Sequence, residues 1–177
     1  SKVGAFVDEA RRAVAKMYPR LDDNPDYTSI VNDKHLARLN GLLAEATAKG
    51  AKVVELNPQG DVMTGRKLAP RLVIGATDDL GVLQDEIFGP ILPIVAVNSV
   101  DEAIGYVNDH PRPLALYYFD RDSRRAEDVL ARTTSGGACV NATLLHCAID
   151  DLPFGGVGPS GMGAYHGRRG FDTFSHL

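Results

Sequence analysis

The sequence predicts an α/β fold, with a mostly parallel sheet, crossover helices and an irregular glycine-rich C-terminal tail. Short apolar runs alternate along the chain with segments of helical period. This alternation favours right-handed crossovers between parallel strands. Glycines are frequent in the segment that begins at Pro153, and no further strand or clear helix is expected there. We therefore expect one compact α/β unit that ends in an irregular segment.

Four helices are predicted, all from apolar spacing and three also from a capping residue. Asn32 can cap the second helix, and Asp122 can cap the fourth. Ser99 and Glu102 form a capping box at the start of the third. The predicted helices cover 2–17, 33–49, 100–109 and 123–135.

Five strands are predicted between and after these helices. The run GPILPIVAV is so apolar that it is expected to be covered on both faces. The run GACVN, which contains Cys139, is also expected to be buried. The predicted strands cover 52–56, 71–76, 91–97, 114–119 and 137–141.

The composition excludes several classes of protein. The net charge is −4 with both signs mixed along the chain, so neither nucleic acid nor an acidic membrane surface is an expected partner. No apolar run approaches the roughly 20 residues that span a bilayer. Two cysteines do not make a disulfide framework, which predicts a reduced, cytoplasmic protein.

A glycine pattern in the tail matches the dinucleotide-binding fingerprint. Gly156, Gly158 and Gly161 spell G-x-G-x-x-G. A true cofactor loop follows a strand, opens a helix and precedes a second strand with an acidic residue. Here Pro159 interrupts the pattern and fewer than twenty residues remain. We interpret the glycines as a tightly packed backbone segment.

The two cysteines are candidate nucleophiles, and inert packing is the alternative for each. Cys139 lies in a predicted buried strand, where a thiol is usually unreactive. Cys147 follows His146 in a predicted loop and is the better placed of the two. These three residues lack the paired spacing of a zinc site, so no metal is expected.

A loop acid precedes the apolar run 91–97. Glu86 can accept hydrogen bonds from the two hydroxyls of a ribose, or it can be a solvated acid. Phe88 is either a core residue or a cofactor contact. The residues alone leave these alternatives open.

Four segments, in this order, resemble the aldehyde dehydrogenase superfamily: QDEIFGPILPIV, RPLALYYF, SGGACVN and LPFGGVGPSGMGAYHG. The patterns E-I-F-G-P and P-F-G-G-x-G-x-S-G-x-G are specific signatures of that family. Within it, PLALYYF and FDTFSH look like the class 3 branch, which takes fatty and aromatic aldehydes. RKLAP and LLHCAIDDLPFGGVGPSGMG look like the bacterial coniferyl aldehyde dehydrogenases.

The resemblance covers residues 1–177 and implies the C-terminal portion of the family's catalytic domain. The implied activity is oxidation of an aromatic or long-chain aldehyde through a cysteine thioester, with NAD or NADP as the cofactor of the full-length enzyme. The family's nucleophile lies in a G-Q-x-C motif, which these 177 residues do not contain. The resemblance therefore implies no catalytic residue here, no cofactor requirement of this chain alone and no activity of it in isolation.

The resemblance also implies supporting roles. Glu86 would hold the nicotinamide ribose and Phe88 would lie beside the nicotinamide. The segment from Asn141 would line the aldehyde tunnel, with a structural hydrogen bond as the alternative role of its histidine. The implied lining residues are Asn141, Leu144, Leu145, His146 and Ile149. The expected partners are the aldehyde and a second copy of the chain. A non-catalytic oligomerisation module is the alternative function.

Overall fold

The structure is a computed structural model that describes residues 2–176. The chain divides into two compact units, Ser1–Ala96 and Val97–Leu177. The sequence predicts one compact unit, whereas in the structure each of the two units has its own sheet. Within the described residues, no helix is both long enough and apolar enough to cross a membrane.

The first unit contains three helices. Helix α2 begins where the sequence predicts, because the Asn32 side chain accepts a hydrogen bond from the backbone N–H of His35 at 2.8 Å. The helices are α1 (Val3–Met17), α2 (Asp33–Ala48) and the short α3 (Gly81–Gln84).

The sheet of the first unit has three strands in the order β1-β2-β3: Lys52–Glu55, Arg71–Ile74 and Ile91–Ile94. Strands β2 and β3 are parallel, as expected. Strands β1 and β2 are antiparallel, and they form the one antiparallel pair among the strand pairs of residues 2–176 in a sheet arrangement predicted to be mostly parallel. No helix separates β1 from β2, so the chain returns without a crossover.

Both faces of the central strand β2 are buried. Val73 packs in a cluster with Leu39 and Leu42 of α2, and Leu72 packs in a second cluster with Val7 of α1. Successive residues of a strand point to opposite faces, so α1 and α2 cover opposite sides of this sheet. The strand predicted to be covered on both faces is instead the edge strand β3, where Leu92 is half-exposed.

The second unit opens with a helix–strand–helix–strand pattern. Both predicted helix caps are present: Glu102 N–H donates to Ser99 Oγ at 3.1 Å, and Arg124 N–H donates to Asp122 Oδ1 at 3.0 Å. The elements are α4 (Val100–Asp109), β4 (Ala115–Tyr118), α5 (Ser123–Arg132) and β5 (Gly137–Val140). Strands β4 and β5 are parallel, as predicted for a crossover through α5.

Strand β5 is less buried than the sequence predicts. Ala138 and Val140 are exposed, whereas Gly137 and Cys139 are partly buried. This alternation shows that only one face of β5 is covered within the second unit.

The tail is tightly folded without long elements. It contains two 3₁₀ turns, Leu145–Ala148 and Gly158–Ser160, and the seven-residue helix α6 (Gly167–Thr173), which the sequence did not predict. A side-chain carbon at Gly156 would overlap the carbonyl oxygen of Ser160. Close packing of the backbone therefore accounts for this glycine of the fingerprint.

Candidate functional site

Two side chains of α2 hold the loop that carries the predicted cofactor residues. Arg38 donates through Nη2 to the carbonyl oxygen of Glu86 at 2.7 Å and through Nη1 to that of Ile87 at 3.0 Å. His35 Nε2 lies 2.8 Å from the carbonyl oxygen of Phe88. Positions 35 and 38 lie on the same face of a helix, one turn apart. Three consecutive carbonyls of this loop are thus fixed by one helix.

The same loop also packs closely against α2 at Gly89, the residue after Phe88. A side-chain carbon at Gly89 would lie 2.6 Å from Leu39 Cδ1, which is closer than van der Waals contact allows. Phe88 has a φ of 50°, an unfavourable value for a residue with a large side chain. An ion pair of 3.6 Å between Arg38 and Asp85 adds a further contact at the start of the loop. The backbone is thus closely constrained on both sides of Phe88.

The side chains of this loop remain accessible although its backbone is fixed. Glu86 is exposed, and its carboxylate has no hydrogen-bond partner among residues 2–176. Phe88 is 72% exposed, so within the first unit it is not a core residue. A cleft of about 620 Å³ runs beside the Phe88 ring and is also lined by Tyr27 and His35. Phe88 thus presents an apolar surface to the cleft, and the exposed Glu86 carboxylate beside it in the sequence is able to accept hydrogen bonds.

Tyr27 closes one side of this cleft as a neutral phenol. Its hydroxyl donates to the carbonyl oxygen of Leu68 at 2.6 Å. Burial raises the pKa of Tyr27 to about 12. The hydroxyl therefore serves as a structural hydrogen-bond donor at neutral pH.

In the second unit, Asn141 links the ends of the two parallel strands. Its Oδ1 accepts a hydrogen bond from the Asp120 N–H at 3.0 Å, and its Nδ2 donates to the Asp120 carbonyl at 2.8 Å. The φ of Asn141 is 56°, a conformation that asparagine tolerates better than most residues. The amide is thus engaged by the backbone, and a contact with substrate stays a prediction.

The apolar residues predicted to line the aldehyde tunnel are accessible within this unit. Leu144 and Leu145 are 65% and 62% exposed, and Ile149 is half-exposed. Leu144 has a φ of 62° immediately before the first 3₁₀ turn. Because single exposed apolar residues are common, exposure alone does not establish a substrate surface.

His146 differs from these neighbours because it is only 5% exposed. Its Nδ1 lies 3.4 Å from Cys139 Sγ, and its ring contacts the rings of Tyr117 and Phe154. The sequence favoured Cys147 as the thiol beside this histidine. The structure instead pairs the imidazole with Cys139, because the 3₁₀ turn lays His146 onto the face of β5.

Two features of these sites were not predicted from the sequence. His35 and Arg38 show the spacing of one helical face, but nothing local in the sequence connects them with the loop at Glu86. The pairing of Cys139 with His146 depends on a turn that periodicity does not predict. Among residues 2–176, no group of three or more histidine, cysteine, aspartate or glutamate side chains could hold a metal ion.

Comparison with known proteins agrees with the resemblance seen in the sequence. The sequence model of the "Aldehyde dehydrogenase family" matches residues 2–177 of this chain. The "Probable coniferyl aldehyde dehydrogenase" of Caulobacter vibrioides is 52% identical over 177 residues, which are 98% of this chain and 36% of that protein. "Aldehyde dehydrogenase family 3 member A2" of Mus musculus is 45% identical and matches 97% of this chain and 34% of that protein.

Among solved structures, the "Substrate bound state of Staphylococcus Aureus AldH" superposes with a TM-score of 0.81. It is 40% identical and covers 93% of this chain and 35% of that one. The chain therefore spans little more than a third of the length of these relatives. With the family model matching nearly every residue, this chain belongs to the aldehyde dehydrogenase family.

Proposed function

We propose that this chain is the C-terminal portion of the catalytic domain of an NAD(P)-dependent aldehyde dehydrogenase, and that Glu86 holds the nicotinamide ribose. The observation that carries the proposal is a carboxylate without a partner on an immobilised loop. Arg38 and His35 fix the backbone of residues 86–88, so Glu86 gains a defined position while its oxygens stay available. A fixed carboxylate binds two ribose hydroxyls with little loss of conformational entropy.

The residues present fit such a cofactor. When bound, a nicotinamide would supply the hydride acceptor for aldehyde oxidation. Glu86 would accept hydrogen bonds from the ribose hydroxyls, and Phe88 would pack against the nicotinamide side of the site and exclude water there. The chemical step itself belongs to a cysteine nucleophile that forms a thioester and to a glutamate base. By the resemblance to the family, both residues lie in parts of the full-length enzyme that these 177 residues do not cover.

The proposed substrate is an aromatic aldehyde of the coniferyl type. The support is the identity of 52% with a relative whose name carries that substrate, together with three accessible apolar side chains after β5. In this proposal Leu144, Leu145 and Ile149 line the aldehyde tunnel with Asn141 and His146. Apolar side chains suit an aromatic ring because its transfer from water is favourable.

The activity is tested with the natural protein that carries this sequence. Purified protein is mixed with coniferyl aldehyde and either NAD or NADP, and formation of the reduced cofactor is followed by absorbance. We expect turnover, and faster turnover with coniferyl aldehyde than with acetaldehyde. No cofactor reduction with any aromatic or long-chain aldehyde would contradict the proposal.

The 177-residue chain alone is proposed to be inactive, since it lacks the family's G-Q-x-C motif. Turnover by it at about 1 per second, the low end for ordinary enzymes, would contradict this part of the proposal. A cytoplasmic location is also proposed, supported by two cysteines that are both free.

A structural or oligomerisation module is the second candidate, favoured by exposed apolar residues in the tail. Met162 is 97% exposed and Phe174 is 87% exposed. Apolar surface of this kind favours association between copies. Light scattering that shows a dimer, together with no cofactor reduction by the natural protein, would select this candidate.

A further inference from the structure

We propose that Cys139, activated by His146, is a covalent modification site for soft electrophiles of the α,β-unsaturated carbonyl class. The Cys139 Sγ and His146 Nδ1 atoms are 3.4 Å apart, within reach of an S–H···N hydrogen bond. A thiol becomes a useful nucleophile when a neighbouring base can accept its proton. The proposal concerns this chain's own thiol and needs neither the cofactor nor the catalytic cysteine of the family.

The fold of the second unit builds this pair from two neighbouring elements, β5 and the 3₁₀ turn that follows it. Cys139 and Gly137 lie on the same face of β5, two residues apart. A side-chain carbon at Gly137 would lie 2.6 Å from His146 Cδ2, so the absence of a side chain there makes room for the imidazole. The 3₁₀ turn Leu145–Ala148 holds the backbone of His146 over this space. The imidazole is therefore placed beside the sulfur and cannot easily turn away.

Aromatic side chains enclose the imidazole of His146. When Nδ1 accepts from the thiol, Nε2 carries the ring's own hydrogen, and Nε2 has no hydrogen-bond partner within residues 2–176. The ring centroids of Tyr117 and Phe154 lie 5.8 and 5.6 Å from that of the imidazole. The imidazole is thus packed between aromatic side chains, which helps to hold Nδ1 beside the sulfur.

The proposed step is a conjugate addition that balances without an oxidant. The sulfur forms a bond to the β-carbon of the unsaturated carbonyl compound, and the electrons of the carbon–carbon double bond move to the α-carbon and the carbonyl oxygen. The thiol proton passes to His146 Nδ1 and then returns to the α-carbon. The product is a thioether at Cys139 that retains the carbonyl group.

Cys147 provides an internal control in the same chain. Both cysteines are free, and both residues are of intermediate burial. The Cys147 thiol donates to the Leu144 carbonyl oxygen at 2.7 Å. A carbonyl oxygen is too weak a base to remove a thiol proton at neutral pH, so Cys147 lacks the activation that His146 gives to Cys139.

The test is site-resolved alkylation of the 177-residue chain with cinnamaldehyde at neutral pH, followed by peptide mass spectrometry. We expect Cys139 to react at least roughly tenfold faster than Cys147, since a positioned base commonly contributes a hundredfold or more. His146→Gln should remove this advantage and leave the rate at Cys147 unchanged. Cys147→Ser should leave the rate at Cys139 unchanged.

Two results would overturn the proposal. One is a reaction at Cys139 no faster than at Cys147 in the unaltered chain, which decides the matter even if His146→Gln fails to fold. The other is an undiminished rate at Cys139 in a His146→Gln chain whose circular dichroism matches that of the unaltered chain.

Discussion

The guanidinium of Arg38 donates to the carbonyl oxygen of Glu86 at 2.7 Å, so a helix side chain holds the residue proposed to bind the cofactor. Arg38 touches the backbone of Glu86 and leaves the carboxylate free. Its role in the proposed enzyme is therefore that of a positioning residue. Replacing such a residue should change the KM for the cofactor, whereas replacing a residue that contacts the aldehyde should change the KM for the aldehyde.

Replacement of Arg38 by methionine should weaken cofactor binding in the natural protein. Two charge-assisted hydrogen bonds to the loop are lost, and each is worth about 1.5 to 3 kcal/mol when it is well shielded. The Arg38 side chain is 35% exposed, so hydrogen bonds from water to the loop carbonyls offset part of the lost free energy. We therefore expect the KM for NAD(P) to rise only roughly tenfold. The KM for aldehyde should change little. Arg124→Met, on an exposed face of α5, is the matched control and should behave as the unaltered protein does.

Replacement of Lys67 by methionine should destabilise the first unit. The Lys67 ammonium donates to the backbone carbonyls of Leu21, Asp22 and Asn24, at 3.2, 2.7 and 2.7 Å. Methionine keeps most of the side-chain volume but removes all three bonds. We expect the free energy of unfolding to fall by about 1 to 3 kcal/mol, measured by urea denaturation. An equal loss in Lys34→Met, an exposed helical position, would show that the carbonyl contacts are unimportant.

Asn141 should prove necessary for the stability of the second unit. Asn141→Ala removes both bonds to the backbone of Asp120 and places alanine at a φ of 56°. The expected loss is about 2 kcal/mol, read from thermal unfolding of the chain. If stability is unchanged while the KM for aldehyde rises in the natural protein, the side chain acts on substrate and its backbone contacts are incidental.

The ion pair of Asp120 with Arg125 should make stability depend on acidic pH. Hydrogen bonds from Arg125, then from the backbone of Asp122 and the hydroxyl of Tyr118, lower the pKa of Asp120 in the folded chain. A lowered folded-state pKa stabilises the fold above the unfolded value of about 4, and this contribution is lost as the pH falls toward the folded value.

Asp120→Asn should therefore melt at a lower temperature than the unaltered chain at neutral pH. The difference should narrow progressively below about pH 4, where the unaltered chain also loses this contribution. Thermal unfolding over a pH series measures it, with Asp150→Asn as the control at an exposed loop position. A difference in melting temperature that stays constant down to the lowest pH would contradict the assignment to this carboxylate.

The features that could be predicted from the sequence are those determined within a few residues. Asn32, Ser99 and Asp122 cap their helices because the side chain and the backbone N–H that it binds are at most three positions apart. All five predicted strands are present, each shorter than expected. The resemblance to the aldehyde dehydrogenase family also rests on short motifs, and the comparisons confirm it.

The missed features depend on partners far apart in the chain. The antiparallel pairing of β1 with β2 is set by the path of residues 56–70, which lack a crossover helix. The contact of Arg38 with Glu86 joins positions 48 residues apart. Neither leaves a periodic signal in the sequence, because each is determined by the tertiary packing of whole elements.

The most direct test of the proposed cofactor site is the affinity of the natural protein for NAD(P) after Glu86→Gln. An amide accepts the ribose hydroxyls less well than a carboxylate, and the lost charge-assisted bond is worth roughly 1.5 to 3 kcal/mol. We predict that the dissociation constant of the cofactor rises about tenfold or more, or that hydride transfer slows by that factor. Glu127→Gln, at an exposed position of α5, should change neither quantity. Unchanged cofactor affinity together with unchanged turnover in Glu86→Gln would contradict the account and leave Glu86 as a solvated loop acid.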